Sequence, residues 1–107
     1  MQSDHRRAPR YPLIAAVEIV ELQSDTHMRA RTSDVSLVGC YVDMVNPLPV
    51  GTEIRVQITH QDTTFTALGM VAHTDPNMGM GVRFTVVELD QQAVLAKWIA
   101  DLAGAGA

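Results

Sequence analysis

The sequence predicts an all-β domain with one C-terminal helix, in which six antiparallel strands close into a barrel. Six short segments alternate apolar with polar side chains, and Gly, Pro, Asn, Asp or Ser residues separate each segment from the next. A single later segment repeats apolar residues at helical spacing. We favour a barrel over an open sheet because closure removes exposed strand edges.

The predicted strands lie at residues 13–22, 27–32, 40–44, 53–58, 63–73 and 80–86. The clearest alternation is in the fourth, where Ile54, Val56 and Ile58 are separated by polar residues. In the sixth, the residues expected to face the interior are Met80, Val82, Phe84 and Val86. Period-two alternation places each of these sets on one side of its strand.

The predicted helix has Asp90 as its N-cap and ends near Gly104. Its apolar stripe consists of Val94, Leu95, Trp98, Ile99 and Leu102. We expect this stripe to cover one face or end of the barrel, with Trp98 as a core anchor.

Charge and composition exclude several classes of protein. A chain of 107 residues makes one domain, and its net charge is −4 although three of its eight basic residues lie within the first ten. Binding to duplex nucleic acid requires a broad basic surface, which this acidic chain lacks. Residues 1–5 are polar, and the longest apolar run, residues 13–17, is too short to cross a bilayer. With one cysteine, Cys40, the chain is expected to be cytoplasmic and not inserted in a membrane.

No pattern typical of catalysis or metal binding is found. The histidines are His5, His27, His60 and His73, and no two have the spacing of a helical zinc site. There is no phosphate-binding loop or dinucleotide fingerprint, and the acidic residues are scattered. Cys40 lies in strand sequence, which favours a buried, inert thiol. The sequence therefore predicts a binding module, not an enzyme, with no cofactor and no metal.

Two short motifs suggest what is bound. The first is RxxxR, formed by Arg6 and Arg10 with Arg7 between them. Pro9 and Pro12 disfavour a helix, so these guanidinium groups should lie on a mobile arm or a tight loop. A guanidinium group matches phosphate oxygens and guanine edges in a bidentate manner.

The second motif is DxSxxG, formed by Asp34, Ser36 and Gly39. It supplies a carboxylate, a hydroxyl group and a glycine that lets the backbone come close to a ligand. By itself such a segment is typical of a turn. Together the two motifs suggest a site for a small, planar anion.

Over essentially its whole length the chain resembles a stand-alone PilZ domain. The residues that carry the resemblance are Arg6 to Arg10, Asp34 to Gly39, Leu48 to Thr52, Met80 to Phe84 and the helix containing Trp98. The resemblance implies a six-stranded barrel with a C-terminal helix that binds the bacterial second messenger cyclic di-GMP. It also implies an N-terminal arm at residues 1–12 and a barrel with its helix at residues 13–103.

The resemblance also implies the roles of the site residues. Arg6, Arg7 and Arg10 would bind phosphate and guanine groups, and Asp34 would accept guanine N–H bonds. Ser36 would bond a phosphate or a base, and Gly39 would allow close approach. His73 falls where the family often has an aromatic residue that can stack on a base.

The output would be a changed surface offered to an unidentified protein partner. Pilus, flagellar, chemotaxis and polysaccharide-export machinery are the family-level settings. Two alternatives remain from the sequence: a PilZ-like structural adaptor that does not bind the nucleotide, and an oligonucleotide-binding barrel. The acidic charge and the few aromatic residues disfavour the second.

Overall fold

The computed structural model describes residues 8–105. The elements are β1 (Tyr11–Pro12), β2 (Ala16–Glu21), β3 (Thr26–Val35), β4 (Gly39–Asp43), β5 (Glu53–His60), β6 (Thr63–Asp75), β7 (Gly79–Val86) and α1 (Leu89–Ala105).

All neighbouring strands are antiparallel, in the order β3, β2, β5, β6, β7, β4, and β4 pairs again with β3 to close the barrel. The predicted six-stranded barrel with a C-terminal helix is confirmed. The two-residue strand β1 is an addition that the sequence pattern did not predict. It pairs with β3 through Tyr11 opposite Val35 and Pro12 opposite Asp34. A proline is tolerated there because β1 is at an edge, where a missing N–H breaks no ladder.

Turn residues with a positive φ connect the longest strands. Gln61 and Asp62, with φ of 52° and 63°, form the two-residue connection between β5 and β6. Two consecutive positive φ values match the twist of the adjoining strands. Asp25 and Asn77 adopt the same left-handed region in the turns before β3 and β7.

The core fills the barrel with the residues that alternation predicted. Ile54, Val56 and Ile58 are fully buried, together with Phe65 from β6. Helix α1 covers this core with Leu95 and Trp98, and the ring of Trp98 is 6.1 Å from that of Phe65. The role of Trp98 as a core anchor is confirmed. The helix is also fixed to β6 because the Gln91 side-chain oxygen accepts a hydrogen bond from the Thr66 N–H at 2.7 Å.

Two details of the predicted strand and helix are wrong. Val86 is 49% exposed because the register of β6 with β7 shifts between Leu68 and Gly69. This irregularity turns Val86 to the outside, whereas Phe84 packs against Phe65 at 5.2 Å. Helix α1 begins at Leu89, so Asp90 lies in its first turn and is not the N-cap.

Cys40 is fully buried in β4, and this burial raises the pKa of its thiol to about 12. The thiolate is the reactive form of cysteine, so the group is inert at neutral pH. This agrees with the sequence interpretation.

Gly39 lies where the backbone of β7 comes very close to β4. A Cβ at this position would overlap the carbonyl oxygen of Val82 and lie 3.3 Å from the Cα of Arg83. We expect Gly39→Ala to lower the free energy of unfolding by about 1–3 kcal/mol, since backbone atoms must move to make room. Urea unfolding measures this. Gly104→Ala is the matched control, because a Cβ there meets nothing within 4 Å. Equal stability of Gly39→Ala and wild type would contradict the close packing.

Candidate functional site

The end of β3 brings the two sequence motifs together. Asp34 is opposite Pro12 of β1 on one side and Tyr41 of β4 on the other. The prediction that Asp34 lies in the turn is wrong, because β3 continues through Val35 and only the next three residues form the turn. This difference matters because a strand residue with neighbours on both sides has a fixed position.

The Arg10 side chain contacts Asp34 directly. Its Nε and Nη2 atoms both donate hydrogen bonds to Oδ1 of Asp34, at 3.1 and 2.7 Å. Pairing of β1 with β3 explains the contact, since it places the residue before Tyr11 beside the end of β3. Arg6 and Arg7 lie outside the described residues, so Arg10 is the one arginine of the RxxxR motif that the structure describes.

The ion pair between Arg10 and Asp34 is exposed, and the bonds from Arg10 occupy one of the two carboxylate oxygens. The side chains of Arg10 and Asp34 are 45% and 31% exposed. Both donated bonds end on Oδ1, and among residues 8–105 no hydrogen bond to Oδ2 is found, so within this range Oδ2 can accept N–H groups from outside. The guanidinium group retains further N–H donors. The pair therefore presents donors and an acceptor side by side, which suits the mixed edge of a guanine base.

The Ser36 side chain forms its hydrogen bonds within the turn between β3 and β4. Its side chain is fully buried, and Oγ accepts hydrogen bonds from the N–H groups of Val38 and Gly39 at 3.1 and 3.2 Å. The hydroxyl donates to the carbonyl of Gly39 at 3.3 Å, and the Ser36 N–H donates to the same carbonyl at 2.8 Å. In the described structure Ser36 thus shapes the turn, and a ligand contact by its hydroxyl stays a prediction.

Gly39 has a structural reason to be glycine. The backbone that comes close to it is that of Val82 and Arg83 on β7. A contact between Gly39 and a ligand also stays a prediction.

His73 lies on the same outer surface, together with two residues that the sequence analysis missed. Tyr41 is opposite Gly81 of β7, and Gly81 is opposite His73 of β6. The rings of Tyr41 and His73 are 6.0 Å apart at an angle of 37°. Asp75 accepts a hydrogen bond from the Tyr41 hydroxyl at 2.7 Å and lies 4.0 Å from Nε2 of His73.

Asp75 also changes the chemistry of Tyr41. Its carboxylate raises the pKa of the Tyr41 hydroxyl to about 12, chiefly through the hydrogen bond, with smaller contributions from desolvation and nearby carboxylates. The hydroxyl is therefore protonated at neutral pH and remains a donor to Asp75. We call the surface formed by Arg10, Asp34, Tyr41, His73 and Asp75 the polar face.

An apolar groove lies next to the turn, between β7 and the start of α1. Its volume is about 1030 Å³. Its lining includes Leu37, Val38, Arg83, Phe84, Val86 and Leu89. Leu89 is 81% exposed, and Leu37 and Val38 are also exposed although they are large and apolar. Exposed apolar surface of this kind is typical of interaction sites.

Among residues 8–105, no group of three or more His, Cys, Asp or Glu side chains is arranged to hold a metal ion. In the same part of the chain, no helix has both the length and the apolar character needed to cross a bilayer.

Comparison with solved structures shows the same fold at low sequence identity. The PilZ domain of YcgR from Escherichia coli, solved with c-di-GMP, matches with a TM-score of 0.75 and 17% identity, covering 96% of this chain and 95% of that one. YcgR in complex with c-di-GMP, also from Escherichia coli, matches with a TM-score of 0.78 and 18% identity; the match covers 94% of this chain and 47% of YcgR.

The PilZ domain of CeSA from a cellulose-synthesizing bacterium gives a TM-score of 0.70 at 18% identity, over 89% of this chain and 98% of that one. A comparison with curated proteins finds no similar sequence. The sequence model of the PilZ domain matches residues 4–101, which is most of the chain. This match and the shared barrel show that the chain belongs to the PilZ domain family.

Proposed function

We propose that this protein is a receptor for cyclic di-GMP, which it binds on the polar face and leaves chemically unchanged. The observation that carries the proposal is the exposed Arg10–Asp34 pair, formed where the two motifs of the sequence meet. Two solved PilZ structures with the same barrel contain c-di-GMP, and their likeness supports the choice of ligand.

Each motif residue has a distinct role in this proposal. Arg10 donates to phosphate or guanine oxygens, and Asp34 accepts guanine N–H bonds through Oδ2, the oxygen that Arg10 does not contact. Arg6 and Arg7 add positive charge to a chain that is acidic overall. Ser36 and Gly39 act mainly by holding the turn that ends β3, and His73 offers a ring 6.0 Å from that of Tyr41.

The ligand's two phosphate charges support binding at this place on the molecule. A dianion is repelled by the net charge of −4 but attracted by the cluster of three arginines near the N-terminus. Charge attraction of this kind also favours fast encounter at low salt. The proposed compartment is the cytoplasm, where a second messenger would reach the polar face.

We further propose that binding changes the apolar groove and that a protein partner reads this change. The turn connects the two surfaces. The Phe84 N–H of β7 donates to the Val38 carbonyl at 2.8 Å, and the Val38 N–H donates to Ser36. Arg83 is the charged residue of the groove lining, so the partner of complementary chemistry presents apolar side chains with a carboxylate opposite Arg83.

Arg10→Ala should weaken binding of cyclic di-GMP by about 10- to 150-fold, since a charge-assisted contact contributes about 1.5–3 kcal/mol. Titration calorimetry with cyclic di-GMP, GMP and a short single-stranded oligonucleotide measures this. Arg29→Ala is the matched control, because Arg29 is an exposed residue of β3 that pairs opposite Glu18 of β2, away from the polar face.

The outcomes separate the candidate functions. Unchanged affinity in Arg10→Ala, with a wild type that binds, removes Arg10 from the site. A wild type that binds none of the three ligands refutes the receptor and leaves the structural adaptor. Preference for the oligonucleotide would indicate the nucleic-acid-binding barrel.

Asp34→Ala and Ser36→Ala should separate recognition from folding. Ser36→Ala leaves the N–H groups of Val38 and Gly39 without their acceptor, so we expect a loss of about 1–3 kcal/mol in unfolding free energy. Asp34→Ala removes an exposed ion pair and should cost at most about 1 kcal/mol, with a clear loss of affinity. Parallel unfolding and titration experiments measure both quantities. A large stability loss with normal affinity in Asp34→Ala would contradict its recognition role.

Addition of cyclic di-GMP should shift the methyl NMR signals of Leu37, Val38 and Leu89, because the turn joins these residues to the polar face. The methyl groups of Val50 are the internal control. Val50 is also exposed, but it lies near Leu22 and Thr52 at a different part of the surface. Signal shifts on the polar face with none in the groove would refute the proposal that binding changes the groove.

A further inference from the structure

Two glycines of β7 lie directly beneath the aromatic rings of the polar face. A Cβ built on Gly81 would overlap the imidazole of His73, and its three nearest atoms all belong to that ring. A Cβ on Gly79 would lie 2.7 Å from Cε2 and 3.1 Å from Cζ of Tyr41, besides overlapping the Val42 carbonyl oxygen. Both rings therefore pack directly against the backbone of β7.

Glycine in the interior of a strand normally weakens it, because it packs no side chain and loses more entropy on folding. At Gly81 the three atoms nearest to such a Cβ all belong to the His73 ring, and none is a backbone atom. Glycine at this position thus makes room for the ring.

The Tyr41 ring is also fixed at its far end. Its hydroxyl donates to Asp75 at 2.7 Å, and Asp75 belongs to β6, the strand that carries His73. A side chain held at both ends loses little further freedom when a ligand covers it. The surface is therefore organised before any ligand arrives.

This surface begins beside the Arg10–Asp34 pair. Tyr41 is the cross-strand partner of Asp34, and opposed residues of an antiparallel pair have Cβ atoms about 5 Å apart. A base whose edge bonds to the Asp34 carboxylate can thus lay its face over Tyr41. Stacking on aromatic side chains is a general mode of base recognition.

We propose that Tyr41, beside the stacking residue already expected at His73, completes an aromatic floor on which one guanine base of the ligand stacks, and that Asp75 positions Tyr41 within it. The inference rests on the proposed receptor function. It assigns a binding role to Tyr41, and it makes Gly79 and Gly81 the residues that create the room for the floor.

The test is a titration of cyclic di-GMP into wild type, Tyr41→Leu and Tyr41→Phe. Tyr41→Leu should bind about 10- to 100-fold more weakly, as expected from loss of a stacked ring. Tyr41→Phe keeps the ring and loses only the bond to Asp75, so its affinity should lie between the two. Gln57→Leu, on the outside of β5, is the control for adding a leucine to the barrel surface.

A second measurement is independent of any variant. Stacking of a base over the floor should move the ring-proton NMR signals of Tyr41 and His73 upfield in the wild type on addition of ligand. If wild type binds but these signals stay in place, or if folded Tyr41→Leu binds as tightly as wild type, the floor is refuted while the receptor survives. If wild type does not bind, the receptor function itself fails.

Discussion

The structure depends on the turn that closes the barrel. β3 and β4 are joined by three residues, and the buried hydroxyl of Ser36 satisfies two of the N–H groups there. An unpaired N–H that is shielded from water is costly, so this hydroxyl stabilises the path of the chain between the two strands. Asp34 lies just before the turn and Tyr41 shortly after it, and closure therefore determines how these two side chains face each other.

The polar face follows from cross-strand register. Asp34, Tyr41, Gly81 and His73 form one row of partners across β3, β4, β7 and β6. Because side chains alternate along a strand, residues far apart in sequence meet on one surface without a dedicated loop. Strands also hold such a surface more rigidly than loops do, and that rigidity favours recognition of a planar ligand.

The sequence predicted the strands well because alternation reports which side of a strand is buried, as at Ile54, Val56 and Ile58. It could not predict which strands pair at which register. Val86 was misplaced because an irregularity in β6 and β7 is not visible in alternation. Tyr41 and Asp75 were missed because their contact depends on strand pairing and joins residues 34 positions apart in the sequence. The motif residues could be identified because residue type and spacing define a motif, without any knowledge of which strands pair.

The charges on and near the polar face bear on how the proposed receptor would select its ligand. Arg10 is held by Asp34, and Arg31, earlier on β3, is held by Asp43 of β4 at 3.0 Å. Exposed ion pairs of this kind contribute little to stability, at most about 1 kcal/mol each, so they can be rearranged at low cost. They do, however, place a carboxylate beside each guanidinium group. In the proposed function, a simple anion would be attracted by the guanidinium group but repelled by the carboxylate. A guanine nucleotide would satisfy both groups, with its phosphate facing Arg10 and its N–H groups facing Asp34. On this proposal the paired carboxylate selects for the base, and the arginine supplies the attraction.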